Sequence, residues 1–389
     1  MRLGIKGSAL GLNPSAGAVY IGCESVSAIL KGFRLLPRRI YLDHASTTPI
    51  LPEAAAAMAE ACLAWANPSS PHAEGRAVHA AMEGARRRIA EAFGWDGTIV
   101  FTSGATEAIS LVFERVQAKA RIVSAIEHPA VLRSARDARQ VAVRPDGRLD
   151  LDDLDRALAE ADAPLVAVQS VNNETGVIHP LEEVAERVAR AGGLLLADCA
   201  QSAGKLPLPD AGFIIVAAHK LGGPPGIGAL LVRDPATLEA IGGQEGGYRP
   251  GTPAVPSIMA FAAAAEAGHG WYEEAKRLRA RLDDGIAAAG GELVAASAPR
   301  IATIACYRMP GVPGAAQMMQ LDLAGIAVSA GSACSSGSLK TSHVLTAMGW
   351  SEQAAREVIR VSFGRGTTEA DVDALLSEWR AMFGKRRAA

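Results

Sequence analysis

Short apolar runs alternate with stretches of helical spacing along most of this chain. Pro52 opens an alanine-rich segment that reads as a helix to about Trp65, proline being at home in a first helical turn. Asn67-Pro68-Ser69-Ser70-Pro71 has loop chemistry. Helical spacing returns from Arg76 to Phe93, Thr98–Thr102 reads as a buried strand, and Gly104 starts another helix. Further strands are expected at 121–124, 139–143, 164–171, 194–198, 213–217 and 228–232, with helices between most of them. Such alternation predicts an α/β fold, with a large doubly wound, mostly parallel sheet covered on both faces. Ligands of such sheets bind at the carboxyl ends of the strands.

The later part of the chain has a different rhythm. A long helical region, roughly 256–289, has the alanine-rich composition of a connecting helix. Strands are then expected near 292–296, 301–307 and 358–362, and helices near 314–324, 342–348 and 368–383, which suits a smaller α+β C-terminal domain. The expected division is a large domain over 41–256 and a small one over 257–389. The small domain carries the one low-complexity stretch, Ser329 to Ser338. Residues 1–40 hold Arg2, Lys6, Lys31, Arg34, Arg38 and Arg39 against the single acid Glu24. They are expected to be an N-terminal extension, poorly ordered or the product of a misplaced start codon, in preference to a targeting peptide.

Composition narrows the partners. The 389 residues are 49% hydrophobic and 21% charged, with a net charge of −2, which gives no reason to expect nucleic acid or an anionic membrane as partner. No run of 18 apolar residues is present, so no transmembrane helix is expected. The five cysteines at 23, 62, 199, 306 and 334 are odd in number and scattered. They argue against a disulfide framework and for a reducing, cytoplasmic location. No CxxC pair or HExxH appears, so no metal site is expected.

The candidate chemistry lies at the ends of the apolar runs. Lys220 sits in a Gly/Pro-rich turn just after Phe213-Ile214-Ile215-Val216, and Asp198 closes Leu194-Leu195-Leu196-Ala197. A lysine and an acid so placed are what pyridoxal 5'-phosphate (PLP) needs: an amine for its aldehyde and a carboxylate to keep its ring nitrogen protonated. Taken alone, an Asp/Lys pair at strand ends is more often mere surface. The turn Thr102-Ser103-Gly104-Ala105-Thr106-Glu107 leads from strand to helix, and its N–H groups suit a phosphate or serve only as a helix cap. His128, at another strand end, could stack on an aromatic cofactor or move protons, or could simply start a helix. Gln201 could reach the cofactor's phenolic oxygen or sit solvated. Gly222 to Gly228 precedes a strand and does not link strand to helix, which excludes a nucleotide loop. Cys334 lies among Ser, Ala and Gly residues that cannot bury it, which leaves the thiol open to use. About six flexible residues on either side would give it a reach of roughly 13 Å.

In combination these motifs resemble the cysteine desulfurases, PLP enzymes of fold type I and the class V aminotransferase type. The resemblance is to the long-cysteine-loop branch with the NifS and IscS enzymes. It is carried by Tyr41-Leu42-Asp43-His44-Ala45-Ser46-Thr47-Thr48-Pro49, Asn67 to His72 with Gly75-Arg76, Thr102 to Glu107, Glu127-His128 and Asn172 to Gly176. Asp198 to Gln201, His219-Lys220, Gly331 to Gly337, Ser342 to Leu345 and Ile359 to Arg365 continue it in the family's order.

The resemblance implies roles for individual residues. Lys220 would bind the PLP aldehyde and move the substrate's α-proton. Asp198 would pair with the ring nitrogen, Gln201 with the phenolic oxygen, and His128 would stack on the ring. Ala105, Thr106 and His219 would hold the phosphate, and Thr252 would reach the phosphate of a neighbouring subunit, which implies a homodimer. Asn173 and Arg360 would hold the substrate carboxylate, and Cys334 would take the sulfur as a persulfide. The implied activity is L-cysteine desulfuration with release of alanine. The sulfur would pass to an acceptor protein of iron–sulfur assembly or tRNA thiolation. A selenocysteine lyase on the same scaffold, or a sulfur-relay partner with weakened PLP chemistry, are the rival readings. Two positions depart from the family pattern. Ala217 stands where a phosphate-binding serine is usual, and Gln244 to Thr252 lacks an arginine and a serine.

Overall fold

The computed structural model describes residues 39–64, 66–330 and 341–387. The expected extension over 1–40 therefore lies almost wholly outside the described residues, as does Cys334.

A short strand, β1 (Ile40–Tyr41), leads into two helices, α1 (Pro52–Leu63) and α2 (Ala73–Phe93). Then β2 (Thr98–Thr102), α3 (Ala105–Arg115), β3 (Ala120–Ser124), α4 (Pro129–Ser134), β4 (Arg139–Val141), α5 (Leu151–Ala159), β5 (Pro164–Gln169), α6 (Leu181–Arg190) and β6 (Leu194–Asp198) alternate. The run ends with β7 (Phe213–Ala217) and β8 (Gly228–Val232). These strands form one seven-stranded sheet in the order β2-β8-β7-β6-β5-β3-β4. β8 runs antiparallel to both its neighbours, and the other pairs are parallel. The expected sheet is thus present, with one reversed strand.

Side-chain alternation puts a core on each face. Along β5, Val166 and Val168 join a cluster with Ile89, Phe101 and Phe261, while Leu165 and Ala167 join one with Ile109, Val112 and Leu230. Both sets are buried, so β5 reads as a continuous apolar run, as parallel strands covered by helices must.

The remaining elements are α7 (Val255–Glu266), α8 (Tyr272–Ala288), β9 (Glu292–Leu293), β10 (Ile304–Arg308), α9 (Gly314–Leu323), β11 (Ile326–Ala327), β12 (Ser329–Ala330), α10 (His343–Ala347), α11 (Glu352–Ala355), β13 (Val358–Ser362) and α12 (Glu369–Arg387). β12-β13-β10-β9 make an antiparallel sheet, and β1 pairs in parallel with β11. Leu42 is buried with Tyr307, Ile359, Val361, Phe363 and Trp379. The first described residues therefore pack into the C-terminal core.

One expected element is corrected. Residues 256–289 are not one helix but two, interrupted between Glu266 and Tyr272. Gly268 takes a φ of +71°, which ends the helix. Arg365 donates to the freed carbonyls of Ala267 at 3.1 Å and Gly268 at 2.6 Å. The strand expected over 292–296 is only two residues long, and Ala295 has a positive φ of 56° that is incompatible with strand geometry. Among the described residues no helix is long and apolar enough to cross a membrane.

Candidate functional site

A cavity of about 390 Å³ opens at the carboxyl ends of the large sheet. Lys220, Asp198, His128 and the turn Ser103 to Glu107 meet there. Asn173, Gln201, Ala217 and His219 also line it, so most of the residues singled out from sequence come together.

Asp198 ends β6 and is buried, with its Oδ1 accepting from the backbone N–H of Ala200 at 2.9 Å. Burial pushes its pKa above the usual carboxylate range, while that hydrogen bond and the charge of Lys220 pull it back. Lys220 closes a single helical turn after β7. Its Nζ donates to the carbonyls of Ala45 and, at 2.9 Å, of Ser46. The loop after β1 therefore lies over the lysine: Thr48 N donates to His219 O at 2.9 Å, and Thr47 Oγ1 is 3.1 Å from His219 Nδ1.

His128 caps α4, its Nδ1 accepting from Ala130 N at 3.2 Å. Burial, then the charges of Lys220, Arg133 and His343, hold its pKa down to about 4. The ring is neutral at physiological pH with its proton on Nε2, because Nδ1 is the acceptor. Glu127 beside it is fully buried, its Oε1 accepting from Gln169 N at 2.8 Å, and burial raises its pKa well above the normal range. Gln201 donates through Nε2 to Ala45 O at 2.9 Å, and its buried Oε1 has no partner among the described residues.

At the N-terminus of α3, Gly104, Ala105 and Thr106 face the cavity. This turn is closely backed by β8. A Cβ on Gly228 would lie 2.7 Å from Val216 O and 2.8 Å from Gly104 Cα, so only glycine permits the approach. Glu107 in the first turn of α3 is bound by Arg249 at 2.7 Å, which offsets its charge next to a site suited to an anion.

Arg360 is placed differently from its neighbours. It projects from β13, is buried, and donates to Asn173 O at 2.9 Å, Asp43 Oδ1 at 2.8 Å and Ser46 Oγ at 2.8 Å. It reaches the cavity through Asn173 and Ser46, which line it. Thr252 is not among the lining residues. It borders a separate cavity of about 690 Å³ between α1, α2 and α7. Cys334 lies outside the described residues, but both flanks of its segment are fixed nearby. Ser329 pairs with Arg360, and Ser342 Oγ donates to Glu174 Oε2 at 2.5 Å. His343 Nε2 is 3.0 Å from Glu127 O.

Sequence reasoning missed two roles here. Ser46 accepts from Lys220 through its carbonyl and from Arg360 through its hydroxyl, and the carbonyl of Ala45 accepts from Lys220. Lys205, discussed below, carried no local signal at all.

The residues present fit PLP. The cavity is of cofactor size, a lysine amine and an enclosed carboxylate face it, and a glycine-backed helix N-terminus opens into it. A lysine and an acid converging at the ends of a mostly parallel sheet define the α/β enzymes that carry an electron-sink cofactor. Residues 40–375 match the family model described as aminotransferase class-V, and the chain belongs to that family, within its NifS/IscS-like cysteine desulfurases. The family implies PLP. The chain is 37% identical to a cysteine desulfurase of Cereibacter sphaeroides, over 87% of this chain and 94% of that one. It is similar in structure to a NifS-like protein from Rickettsia africae, with a TM-score of 0.83 and 28% identity over 89% of this chain and all of that one. A structure of SspA in complex with cysteine matches with a TM-score of 0.72 and 27% identity, covering 83% of this chain and 98% of that one.

Proposed function

We propose that this chain removes sulfur from L-cysteine with PLP held by Lys220, Asp198 and the turn before α3. Cys334 receives the sulfur as a persulfide, and alanine is released. The observation that carries the reading is the convergence of Lys220, Asp198 and His128 on one cavity. The PLP-linked character of the family and the desulfurases among its relatives support it.

When bound, PLP supplies an electron sink next to the substrate's Cα. Asp198, held by Ala200 N–H, would pair with the ring nitrogen. Thr106, the N–H groups of Ala105 and its neighbours, and His219 would hold the phosphate. Neutral His128 would stack on the ring. Gln201 would donate to the phenolic oxygen. Lys220, as a neutral amine, would accept the Cα proton. Asn173 and Arg360 orient the substrate carboxylate, which would have to share or displace the Asn173, Asp43 and Ser46 partners of the guanidinium. The thiolate of Cys334 then attacks the substrate Sγ. The Cβ–Sγ bond breaks, an S–S bond forms, and protonation of the carbon skeleton yields alanine. The step is redox-neutral overall, since the sulfur is oxidised as Cβ is reduced.

The chain works as a homodimer in which Thr252 reaches the partner's phosphate site, a reading supported by its absence from the lining of its own chain's cavity. A sulfur-acceptor protein of iron–sulfur assembly or tRNA thiolation takes the persulfide sulfur in the cytoplasm.

The test is to incubate the full-length protein with PLP and L-cysteine, measure alanine, and map the peptide that gains one sulfur atom. Alanine with the extra sulfur on Cys334, lost in Cys334→Ser while PLP still binds, is expected. Sulfur on Cys199 or Cys306 with Cys334 unmodified overturns the mechanism. Borohydride fixing PLP to a lysine other than Lys220 overturns the site.

A further inference from the structure

Lys205, seven residues after Asp198, has no part in the mechanism above. Its Nζ donates to the carbonyl of Gln201 at 2.9 Å. Among the described residues the charge acting on it is that of Lys220 and not that of a carboxylate. A small chamber of about 30 Å³ touches both lysines, walled by Thr48, Leu51, Trp271 and Phe363. Such a space has room for about two or three waters, which need about 10–15 Å³ each. Lys220 also lines the cofactor cavity, so it borders both spaces. A second link joins the amines: Gln201 Nε2 donates to Ala45 O, the carbonyl that also accepts from Lys220 Nζ.

We propose that Lys205 is a positioning residue for Lys220: a second amine, with no carboxylate beside it among the described residues, set against the same small chamber so that its charge weakens the hold of Lys220 on a proton. Two ammonium groups in one poorly hydrated space repel, and the penalty is shared, so the pair titrates as a unit. Burial first, and then Lys220, bring the pKa of Lys205 down to about 7, and the Coulombic part of that effect must act equally on Lys220. The other groups facing Lys220 are Asp198, His128 and His219 on the cofactor side, and His269 and Arg365 on the chamber side, while His44 faces Lys205. Asp198 alone among these favours the ammonium, and the pair of lysines counters it. A lysine must be neutral to attack an aldehyde or to accept a proton, and a neighbouring cation is an established way to make it so. The inference rests on the proposed role of Lys220 for its purpose. The shared titration does not.

The test reads the titration directly. The full-length chain, stripped of PLP, is labelled briefly with trace acetic anhydride across a pH series, and the Lys220 peptide is quantified by mass spectrometry. Lys205→Met should move the labelling midpoint of Lys220 up by about one pH unit. Lys205→Arg, which keeps a fixed charge, should leave the midpoint where it is or lower it. The acid limb of kcat/KM for cysteine in the holoenzyme should move with it. Equal midpoints in the three proteins overturn the proposal. An upward shift in Lys205→Arg equal to that in Lys205→Met also overturns it, because packing and not charge would then be the cause. A midpoint that shifts as expected in a protein that does not desulfurate cysteine would uphold the lysine pair and reject the functional reading.

Discussion

Ala217→Ser probes one of the two positions that the resemblance marks as departures from the family pattern. Ala217 ends β7, is 2% exposed, pairs with Gly228 and lines the cofactor cavity. A serine there adds one hydroxyl to a space already enclosed. In the PLP-free protein that hydroxyl leaves water without an assured acceptor, at a cost of about 1–3 kcal/mol. With a phosphate opposite, it gains a charge-assisted hydrogen bond of about 1.5–3 kcal/mol. Allowing for partial compensation by water, a net gain of about 1–2 kcal/mol in cofactor affinity follows, or roughly 5–30-fold. The sign of the stability change should therefore reverse. The variant should unfold at a lower temperature than the parent without PLP, and should gain more from saturating PLP than the parent does. Cofactor loss is to be followed by dialysis during cysteine turnover, because the proposed bond to Lys220 would mask it at rest. Equal rates of loss, together with equal thermal gains from PLP, would refute the reasoning and show that the phosphate cup is complete without a serine.

Arg360→Ala should cost about 3–5 kcal/mol of stability, because it strands Asp43 next to Ser46 in a mostly buried site. Cysteine KM should rise about tenfold to a hundredfold with PLP still bound; if Asp43→Ala/Arg360→Ala restores normal KM, the substrate role fails. His179 is fully buried with neither ring nitrogen bonded among the described residues, and burial lowers its pKa to about 4. The unfolded chain therefore takes up this proton first as pH falls below 6.5, and stability is lost through the window from 6.5 to about 4. His179→Leu should abolish that loss. Its advantage over the parent in urea unfolding should grow by about 2 kcal/mol between pH 7 and pH 5; a constant difference counts against it. Ser342→Ala removes both the cap of α10 and the partner of Glu174, and should cost about 1–2 kcal/mol. Persulfide formation should slow more than PLP binding weakens; equal loss of both, measured by stopped mixing and PLP titration, would reduce Ser342 to a fold element.

The large sheet was legible because parallel strands covered on both sides must be apolar throughout, and β5, β6 and β7 are. Asp198, His128 and Lys220 stood out for the same reason, as polar residues at the ends of such runs. What could not be read was set by distance along the chain. The break after Glu266 depends on Arg365, nearly a hundred residues later, and glycine within an alanine-rich run gives only a weak warning. The pairing of Arg360 with Asp43 spans 317 residues, and no local pattern announces it. Lys205 looks like an ordinary surface lysine after a turn, and only the packing of the chain encloses it with Lys220.

The loop from Asp43 to Thr48 also bears on the order in which the protein can be made. Its carbonyls receive the amine of Lys220, yet its own position is fixed by residues that are synthesised late. Ser362 N donates to Leu42 O at 2.8 Å, Ala45 N donates to Ser362 Oγ at 2.9 Å, and Arg360 holds Asp43. A growing chain can complete its large sheet once Val232 has emerged, and it will then already contain Asp198, His128 and Lys220. It cannot seat the loop over the lysine until β13 follows. Pairings so remote form last. A chain truncated before β13 would thus present the amine of Lys220 without the contacts that seat its cover.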